Sequence, residues 1–289
     1  MNGFLLIDKP ADMSSFAAVY AVRKRLDQKK AGHAGTLDPF ATGLLIVALG
    51  AYTRLIPHFD DMPKTYTAVG VLGELRDTDD ATGSVTETFP AITASPDAIR
   101  TLIRDRFTGA IRQLPPRYSA LKVKGHRAYD LARGGDDFDL AVRDATVHTI
   151  ELTGFDYPRF AVRMSVSRGT YVRTIIRDIG TALGSGAYTE VLRRTHIGPL
   201  AVGNAIAPAA VSSEAVLGYH DIFPDIPLTL ASSALSERLH NGNRSLPDVP
   251  DGRHYFTDGD SVLLAITDVS KGNARYEFVN NDVKAGQLR

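Results

Sequence analysis

The stretch Gly32–Leu45, GHAGTLDPFATGLL, joins a glycine-rich loop to the most apolar run of the chain, Leu44–Leu49. Asp38 stands between Leu37 and Pro39 in this loop, and an aspartate before a proline is most often a turn former. The apolar run predicts a buried strand, so the carboxylate lies at the edge of the core. A carboxylate there needs a cationic partner, or its pKa rises. The residues alone therefore leave two interpretations of Asp38, a turn former or a paired nucleophile or base.

The composition is that of a soluble globular protein. The chain has 289 residues, of which 44% are apolar and 23% charged, a balance that argues against a disordered, collagen-like or disulfide-rich protein. Cysteine is absent, which excludes disulfides, a thiol nucleophile and zinc sites built on thiolates. No apolar run approaches the roughly 20 residues of a membrane span, and Asp8 and Lys9 come too early for a secretory signal. We therefore expect a soluble, cytoplasmic protein.

Charge is distributed unevenly along a chain whose total is neutral, with 33 basic and 33 acidic side chains. Residues 100–133 carry nine bases against two acids, and residues 159–194 carry seven against two. Residues 60–97 and 221–289 contain an excess of acids. Such segregation can place a positive face on a neutral protein, and a polyanion would contact that face. The charges alone favour this interpretation no more than basic side chains spread evenly over a solvated surface.

Several common catalytic motifs are missing from the sequence. It contains no G-x-S-x-G elbow, no phosphate-binding G-x-x-x-x-G-K-[ST], no G-x-G-x-x-G and no H-E-x-x-H. The acidic turn Asp77–Gly83 has a superficial resemblance to a calcium loop, but Ala81 and Thr82 stand where an oxygen ligand and the turn glycine belong. Hydride transfer and nucleotide hydrolysis are therefore disfavoured, and we predict neither a nucleotide cofactor nor a metal site.

Local patterns predict strands and helices in mixed order. Ser14 or Ser15 and the pair Ser95-Pro96 are typical helix starts. Apolar alternation and helical spacing indicate the other elements. The predicted strands are residues 4–7, 44–49, 66–72 and 160–167, and the predicted helices are residues 16–26, 96–107 and 171–183. This mixture indicates an α+β fold with a largely antiparallel sheet.

Six segments, in order along the chain, resemble the motifs of the TruB family of tRNA pseudouridine synthases. The segment around Asp38 is similar to the family's catalytic motif. The others are LLIDKPADMSS (5–15), KTYTAVGVLGELRDTDDATG (64–83), QLPPRYSALKVKGHRAYDLARGG (113–135), SRGTYVRTIIRDIG (167–180) and GAYTEVLRRTHIG (186–198). The resemblance covers about two-thirds of the chain.

This resemblance implies a pseudouridine synthase fold, with a mostly antiparallel mixed sheet flanked by helices and an RNA-gripping thumb insertion at about residues 113–139. It also implies a reaction on uridine 55 in the T-loop of tRNA. The uridine is flipped out of its stack, its glycosidic bond is cleaved, and C5 of the rotated uracil joins the ribose C1′. No cofactor or metal is needed for this isomerisation.

Three residues match the family's catalytic positions. Asp38 matches the aspartate that acts as a nucleophile on the sugar or as a base at C2′. Arg173 matches the arginine that pairs with this aspartate and keeps it ionised. Tyr66 matches the tyrosine that stacks on the target base. Without the resemblance, the last two read as a surface arginine and a half-buried strand tyrosine.

Further residues are expected to bind the substrate. The resemblance implies a histidine that enters the space left by the flipped base, a tyrosine and a leucine that line the pocket, an N-terminal Lys-Pro motif, and basic thumb residues that contact phosphates. In this chain these are His33, Tyr171, Leu192, Lys9, Pro10, Arg117, Lys122, Lys124 and Arg127.

We expect two domains and one RNA partner. Residues 1–221 correspond to the catalytic domain, and residues 222–289 resemble the small PUA-like β-barrel that follows it in many members. The resemblance implies that the partner is tRNA and that the protein binds it as a monomer. We expect no membrane partner. Three alternatives stay open: a guide-RNA-dependent relative, which the thumb argues against, a tRNA-folding chaperone, and a glycosidase-like hydrolase, which lacks an identifiable second carboxylate.

Overall fold

The computed structural model describes residues 1–119, 121–123, 125–258 and 262–281. Its helices are α1 (Ser15–Arg25), α2 (Pro96–Arg106), α3 (Ala128–Gly134), α4 (Val172–Ala182), α5 (Tyr219–Ile222) and α6 (Ser233–His240). Its strands are β1 (Gly3–Lys9), β2 (Ala31–Ala34), β3 (Thr42–Leu49), β4 (Lys64–Leu72), β5 (Glu74–Arg76), β6 (Val85–Thr88), β7 (Gly109–Gln113), β8 (Lys122–Val123), β9 (His126–Arg127), β10 (Arg143–Asp156), β11 (Arg159–Val166), β12 (Ala187–Ile197), β13 (Leu200–Ala201), β14 (Thr229–Leu230), β15 (Gly252–Thr257), β16 (Leu263–Ser270) and β17 (Asn273–Val279). Within the described ranges, no helix has the length and apolar character needed to cross a membrane.

A mixed sheet forms the centre of the fold. Its strand order is β1-β3-β12-β4-β11-β10-β7, with β2 paired to β3 and β13 to β12. The neighbours are antiparallel except β3 and β12, which run parallel where Thr42 and Gly43 meet Arg193 and Arg194. The predicted α+β fold with a largely antiparallel sheet is therefore confirmed, and the predicted strands and helices are present with slightly different ends.

Strand β3 is buried on both faces, which explains its continuous apolar sequence. Because side chains alternate along a strand, Leu44 and Ile46 join one core cluster with the 3₁₀ helix Gly50–Phe59. Leu45 and Val47 join a second cluster with α1 on the opposite face. The loop that carries Asp38 therefore leads directly into the most deeply buried strand of the sheet.

Helix α4 covers the other half of the sheet. Ile175, Ile176 and Ile179 pack into a cluster with the apolar side chains of α2, β4 and β11. The second residue of this helix is Arg173, so packing of the apolar face sets the position of its guanidinium group. The helix begins after Tyr171, whose extended backbone is its N-cap.

The predicted thumb region leaves the sheet at one edge. Strands β7 and β10 pair directly, with Gln113 opposite Arg143, so the chain between them is an excursion from the sheet. Its described part contains the two-residue strands β8 and β9, paired with each other, and the short helix α3. Lys124, one of the predicted thumb residues, lies outside the described residues.

The C-terminal segment contains a separate four-stranded sheet in the order β14-β15-β16-β17. Within residues 222–258 and 262–281, these strands form an open sheet and not a closed barrel. Leu263, Ile266 and Phe278 share a core cluster with Phe4 and Tyr52. The C-terminal sheet is thus packed against the 3₁₀ helix and β1 through apolar side chains.

The parallel contact of β3 with β12 requires glycine at position 43. Gly43 has φ +104°, and a Cβ there would lie 2.2 Å from the Arg194 carbonyl oxygen. Gly73 has the same φ of +104° with open space around it, and is the matched control. We expect Gly43→Ala to lower the free energy of unfolding by about 3–5 kcal/mol, against about 1–2 kcal/mol for Gly73→Ala. Urea unfolding measures the free energy of unfolding of both variants. Equal losses in the two variants would contradict the conclusion that a Cβ at position 43 clashes with the Arg194 backbone.

Candidate active site

The loop that carries Asp38 is held by buried polar contacts from the N-terminal segment. The Ser15 hydroxyl donates to the Leu37 carbonyl at 3.0 Å and accepts from the Leu37 N–H at 2.8 Å. The Lys9 Nζ donates to the carbonyl oxygens of Pro39 at 3.1 Å and Met13 at 2.6 Å. The loop is thus clamped on both sides of Asp38, although its sequence is rich in glycine.

Asp38 and Arg173 form an ion pair across the site. Arg173 Nε lies 2.9 Å from Asp38 Oδ2, and the arginine side chain is only 3% exposed, against 34% for the aspartate. The pair predicted from the family resemblance is therefore present in the structure. The carboxylate keeps access to the solvent while its partner is enclosed by protein.

Every nitrogen of the Arg173 guanidinium group has a partner. Nη1 donates to the Thr78 carbonyl oxygen at 2.6 Å and to Asp80 Oδ2 at 3.2 Å. Nη2 donates to the Tyr118 carbonyl oxygen at 2.9 Å. Four separate parts of the chain therefore meet at one side chain, which fixes the direction in which Nε points at Asp38.

The acidic turn at residues 77–83 supplies the second carboxylate of this network. Asp80 is 4% exposed and accepts hydrogen bonds from the hydroxyls of Thr78 and Thr82. Its neighbour Asp79 pairs with Arg177 Nη1 at 2.8 Å. Within the described ranges, no group of three or more His, Asp or Glu side chains is arranged to hold a metal ion. The oxygens of this turn bind arginines and hydroxyls.

Burial and charge act in opposite directions on Asp38. Burial raises the pKa of its carboxyl above the ordinary 3.8, Arg173 lowers it, Asp80 raises it and Lys9 lowers it. Burial also lowers the pKa of the Lys9 ammonium to about 8. The ionised carboxylate, which a nucleophile or base requires, therefore depends mainly on Arg173.

A cleft of about 630 Å³ opens beside Asp38. Its lining includes half of the twelve residues predicted from the resemblance, namely His33, Asp38, Tyr66, Tyr171, Arg173 and Leu192. Aromatic, apolar and charged groups thus surround one space large enough for a nucleobase and part of its ribose.

Two groups of predicted residues are not brought to this cleft. Lys9 is fully buried, and its ammonium group is occupied by backbone carbonyls. Neither Lys9 nor Pro10 lines the cleft. Lys9 instead contacts the backbone of the Asp38 loop at Pro39. Arg117 is half-exposed in the thumb region and pairs with Asp137. Only the backbone is described for Lys122 and Arg127, which face each other in the β8–β9 pair.

Besides Asp80, Gln113 and Arg194 lie at the site without having been predicted from the sequence. Gln113 forms a double hydrogen bond with the backbone of Tyr171, at 3.1 Å in each direction. Arg194 lines the cleft and is 1% exposed. A signal for Arg194 was present, since alternation along a strand puts it on the same face as Leu192. No local pattern marks Gln113, whose partner is 58 residues away.

Comparison with known proteins gives the family. Residues 23–172 match the family described as TruB family pseudouridylate synthase (N terminal domain). The chain is 43% identical to the tRNA pseudouridine synthase B of Cereibacter sphaeroides, over 100% of this chain and 94% of that protein. It is 39% identical to the protein of the same name from Bradyrhizobium diazoefficiens, over 94% and 84%.

The chain belongs to the TruB family. Among solved structures, it is similar in fold to a chain of the crystal structure of a Cbf5-Nop10-Gar1 complex, with a TM-score of 0.68 and 24% identity over 97% of this chain and 86% of that one. A chain of an H/ACA RNP bound to a substrate RNA containing 2′-deoxyuridine has a TM-score of 0.66 and 22% identity over the same shares. The α+β fold described above is therefore the fold of pseudouridine synthases.

We expect the charge on Arg173 to set the acid limit of activity in this TruB-family site. Because Arg173 lowers the pKa of Asp38, Arg173→Met raises that pKa further, and the fraction of ionised carboxylate then falls at a higher pH. We expect the acid limb of the pH–rate profile to lie above pH 3.8 in the wild type and to move upward in Arg173→Met. Single-turnover rates from pH 4.5 to 9 measure the shift.

Arg159→Met is the control for this shift, because Arg159 forms an exposed pair with Glu190 and has no part in the environment of Asp38. An acid limb at the same pH in Arg173→Met and in the wild type would refute the role assigned to the arginine.

Proposed function

We propose that this protein converts uridine 55 in the T-loop of tRNA to pseudouridine, and that Asp38 is its catalytic group. The observation that carries the proposal is the Asp38–Arg173 pair at the wall of a cleft lined by Tyr66 and Tyr171. The curated relatives described above, named tRNA pseudouridine synthase B, support tRNA as the substrate.

The geometry suits chemistry on a flipped nucleotide. Asp38 is half-exposed at the cleft and acts on the ribose, either as a nucleophile on the sugar or as a base at C2′. Arg173 keeps the carboxylate ionised while water is excluded. The glycosidic bond breaks and the uracil rotates within the cleft. C5 then bonds to C1′ as the Asp38 carboxylate returns to its starting state, and the proton lost from C5 is balanced by one gained at N1.

The aromatic and apolar lining holds the base during this rotation. Tyr66 offers a ring on which uracil stacks, and its hydroxyl assists removal of the C5 proton. Tyr171 and Leu192 also line the cleft and contact the base. His33, which also lines the cleft, enters the space that the flipped base vacates in the RNA. Isomerisation transfers no electrons or groups to a second molecule, so the enzyme acts without a nucleotide cofactor.

The remaining parts of the chain serve RNA binding. The excursion between β7 and β10 is the thumb, a basic clamp on the T-loop backbone. Folded RNA is recognised by shape and by splayed bases, which suits a loop substrate.

Residues 1–221 form the catalytic domain, and residues 222–289 form a PUA-like module beside it. The enzyme acts as a monomer.

An unmodified tRNA transcript tests the reaction and the catalytic residue together. We expect pseudouridine at position 55 with the wild type, and a loss of more than about 10³-fold in rate for Asp38→Asn, because the amide can neither attack nor accept a proton. Pseudouridine mapping by carbodiimide and primer extension measures the product, and filter binding measures the affinity for tRNA.

Asp97→Asn is the matched control for Asp38→Asn, since Asp97 is an exposed carboxylate that pairs with Arg100. Modification at another uridine, or none by a folded wild type, would contradict the proposal. Equal losses of affinity and rate in Asp38→Asn would indicate a structural role for the aspartate.

The proposed role of the thumb predicts how tRNA binding depends on salt concentration. Neutralising Lys122, Lys124 and Arg127 with glutamine is expected to weaken tRNA binding and to reduce the slope of log affinity against log salt by about 2, because each phosphate contact releases counterions. The control is Arg104→Gln on α2, an exposed arginine paired with Asp105. Binding titrations from 50 to 300 mM salt measure the slope, and an unchanged slope in the triple variant would exclude the clamp.

A further inference from the structure

Arg194 is a fully buried cation whose partners are all neutral. It is 1% exposed and among the largest fully buried side chains of the described chain. Among the described residues, no carboxylate forms an ion pair with its guanidinium group. A buried charge without a counterion lowers the stability of the folded protein. We therefore expect an arginine that is buried in this way on the wall of the cleft to have a function there.

The contacts of Arg194 bracket the catalytic loop. Its Nη2 donates to the Gly35 carbonyl oxygen at 3.0 Å, and its Nε donates to the Leu44 carbonyl oxygen at 2.7 Å. Gly35 precedes Asp38 and Leu44 follows it, so one planar group ties the two ends of the loop together. Arginine suits this task because its donors have a fixed spatial arrangement.

The same guanidinium group reaches the stacking tyrosine. Its Nη1 lies 3.4 Å from the Tyr66 hydroxyl, and its central carbon lies 6.0 Å from the centre of the tyrosine ring. Arg194 is opposite Tyr66 in the β12–β4 register and opposite Gly43 in the β12–β3 register. The three strands that carry the loop and the tyrosine therefore meet at this residue.

The neighbouring arginine gives a contrast on the same strand. Arg193 points to the other face, is 36% exposed, and forms an ordinary ion pair with Asp8 at 2.8 Å. It does not line the cleft. Two adjacent arginines thus differ in their partners, in burial and in their relation to the site.

We propose that Arg194 is a positioning residue for pseudouridine formation, which holds both ends of the Asp38 loop and the Tyr66 hydroxyl in one fixed arrangement. The proposal rests on the function proposed above. Because the residue is enclosed, its effect is on the turnover of bound tRNA and not on the affinity for tRNA. Because this role needs several donors in one planar group, a lysine does not replace Arg194.

Single-turnover kinetics at saturating tRNA test the proposal with Arg194→Met, Arg194→Lys and the control Arg193→Gln. We expect both Arg194 variants to lose on the order of 100-fold in rate, since displacement of reacting groups by about 1 Å has this effect. Their affinity for tRNA stays within about threefold of the wild type, a change of under 1 kcal/mol, and Arg193→Gln retains its rate. Full activity in Arg194→Lys would overturn the proposal, as would a parallel loss of affinity.

Hydrogen exchange gives a readout that does not depend on activity. We expect faster amide exchange in residues 35–44 of Arg194→Met, with unchanged exchange in α4 and no change in Arg193→Gln. Unchanged exchange in the loop would refute the positioning role even if the rate fell. Where Arg194→Met does not fold, Arg194→Lys carries both measurements. Absence of pseudouridine with the wild type would refute the proposed function, whereas the exchange result would still decide whether Arg194 holds the loop.

Discussion

The ion pair of Asp38 with Arg173 is the interaction on which the rest of the site depends. A carboxylate at the edge of an apolar core is driven towards its neutral form by desolvation. The adjacent guanidinium group opposes this, and it does so in a fixed direction because it is itself held by the Thr78, Asp80 and Tyr118 oxygens. The acidity of Asp38 is thus controlled by contacts from three other parts of the chain.

The topology of the sheet explains how these parts meet. Strand β3 enters the sheet directly after the Asp38 loop and lies beside β12, which in turn lies beside β4. Helix α4 packs on the same half of the sheet with Arg173 in its first turn. The Asp38 loop, Tyr66 and Arg173 therefore converge on one cleft because their elements are neighbours in space, although they are distant in sequence.

Much of the fold could be predicted because its signals are local. The apolar run at residues 44–49, the caps at Ser14 and Ser95, and the helical spacing of residues 171–183 all refer to neighbours within a few residues. The Asp38–Arg173 pair was expected only through the resemblance to a family. Asp80 was left unassigned, because its partner Arg173 is 93 residues away and no local pattern links them.

Local sequence patterns predicted the α+β class, the order of the elements, the excursion that follows residue 113 and the acid that lies at the edge of the core. Only the folded structure shows that Lys9 hydrogen-bonds to the backbone of the Asp38 loop, that Gln113 holds the backbone of Tyr171, and that Arg194 is buried with no carboxylate partner among the described residues. The physical reason is that periodicity and capping depend on adjacent residues, whereas desolvation and hydrogen bonding depend on which distant groups share the same space.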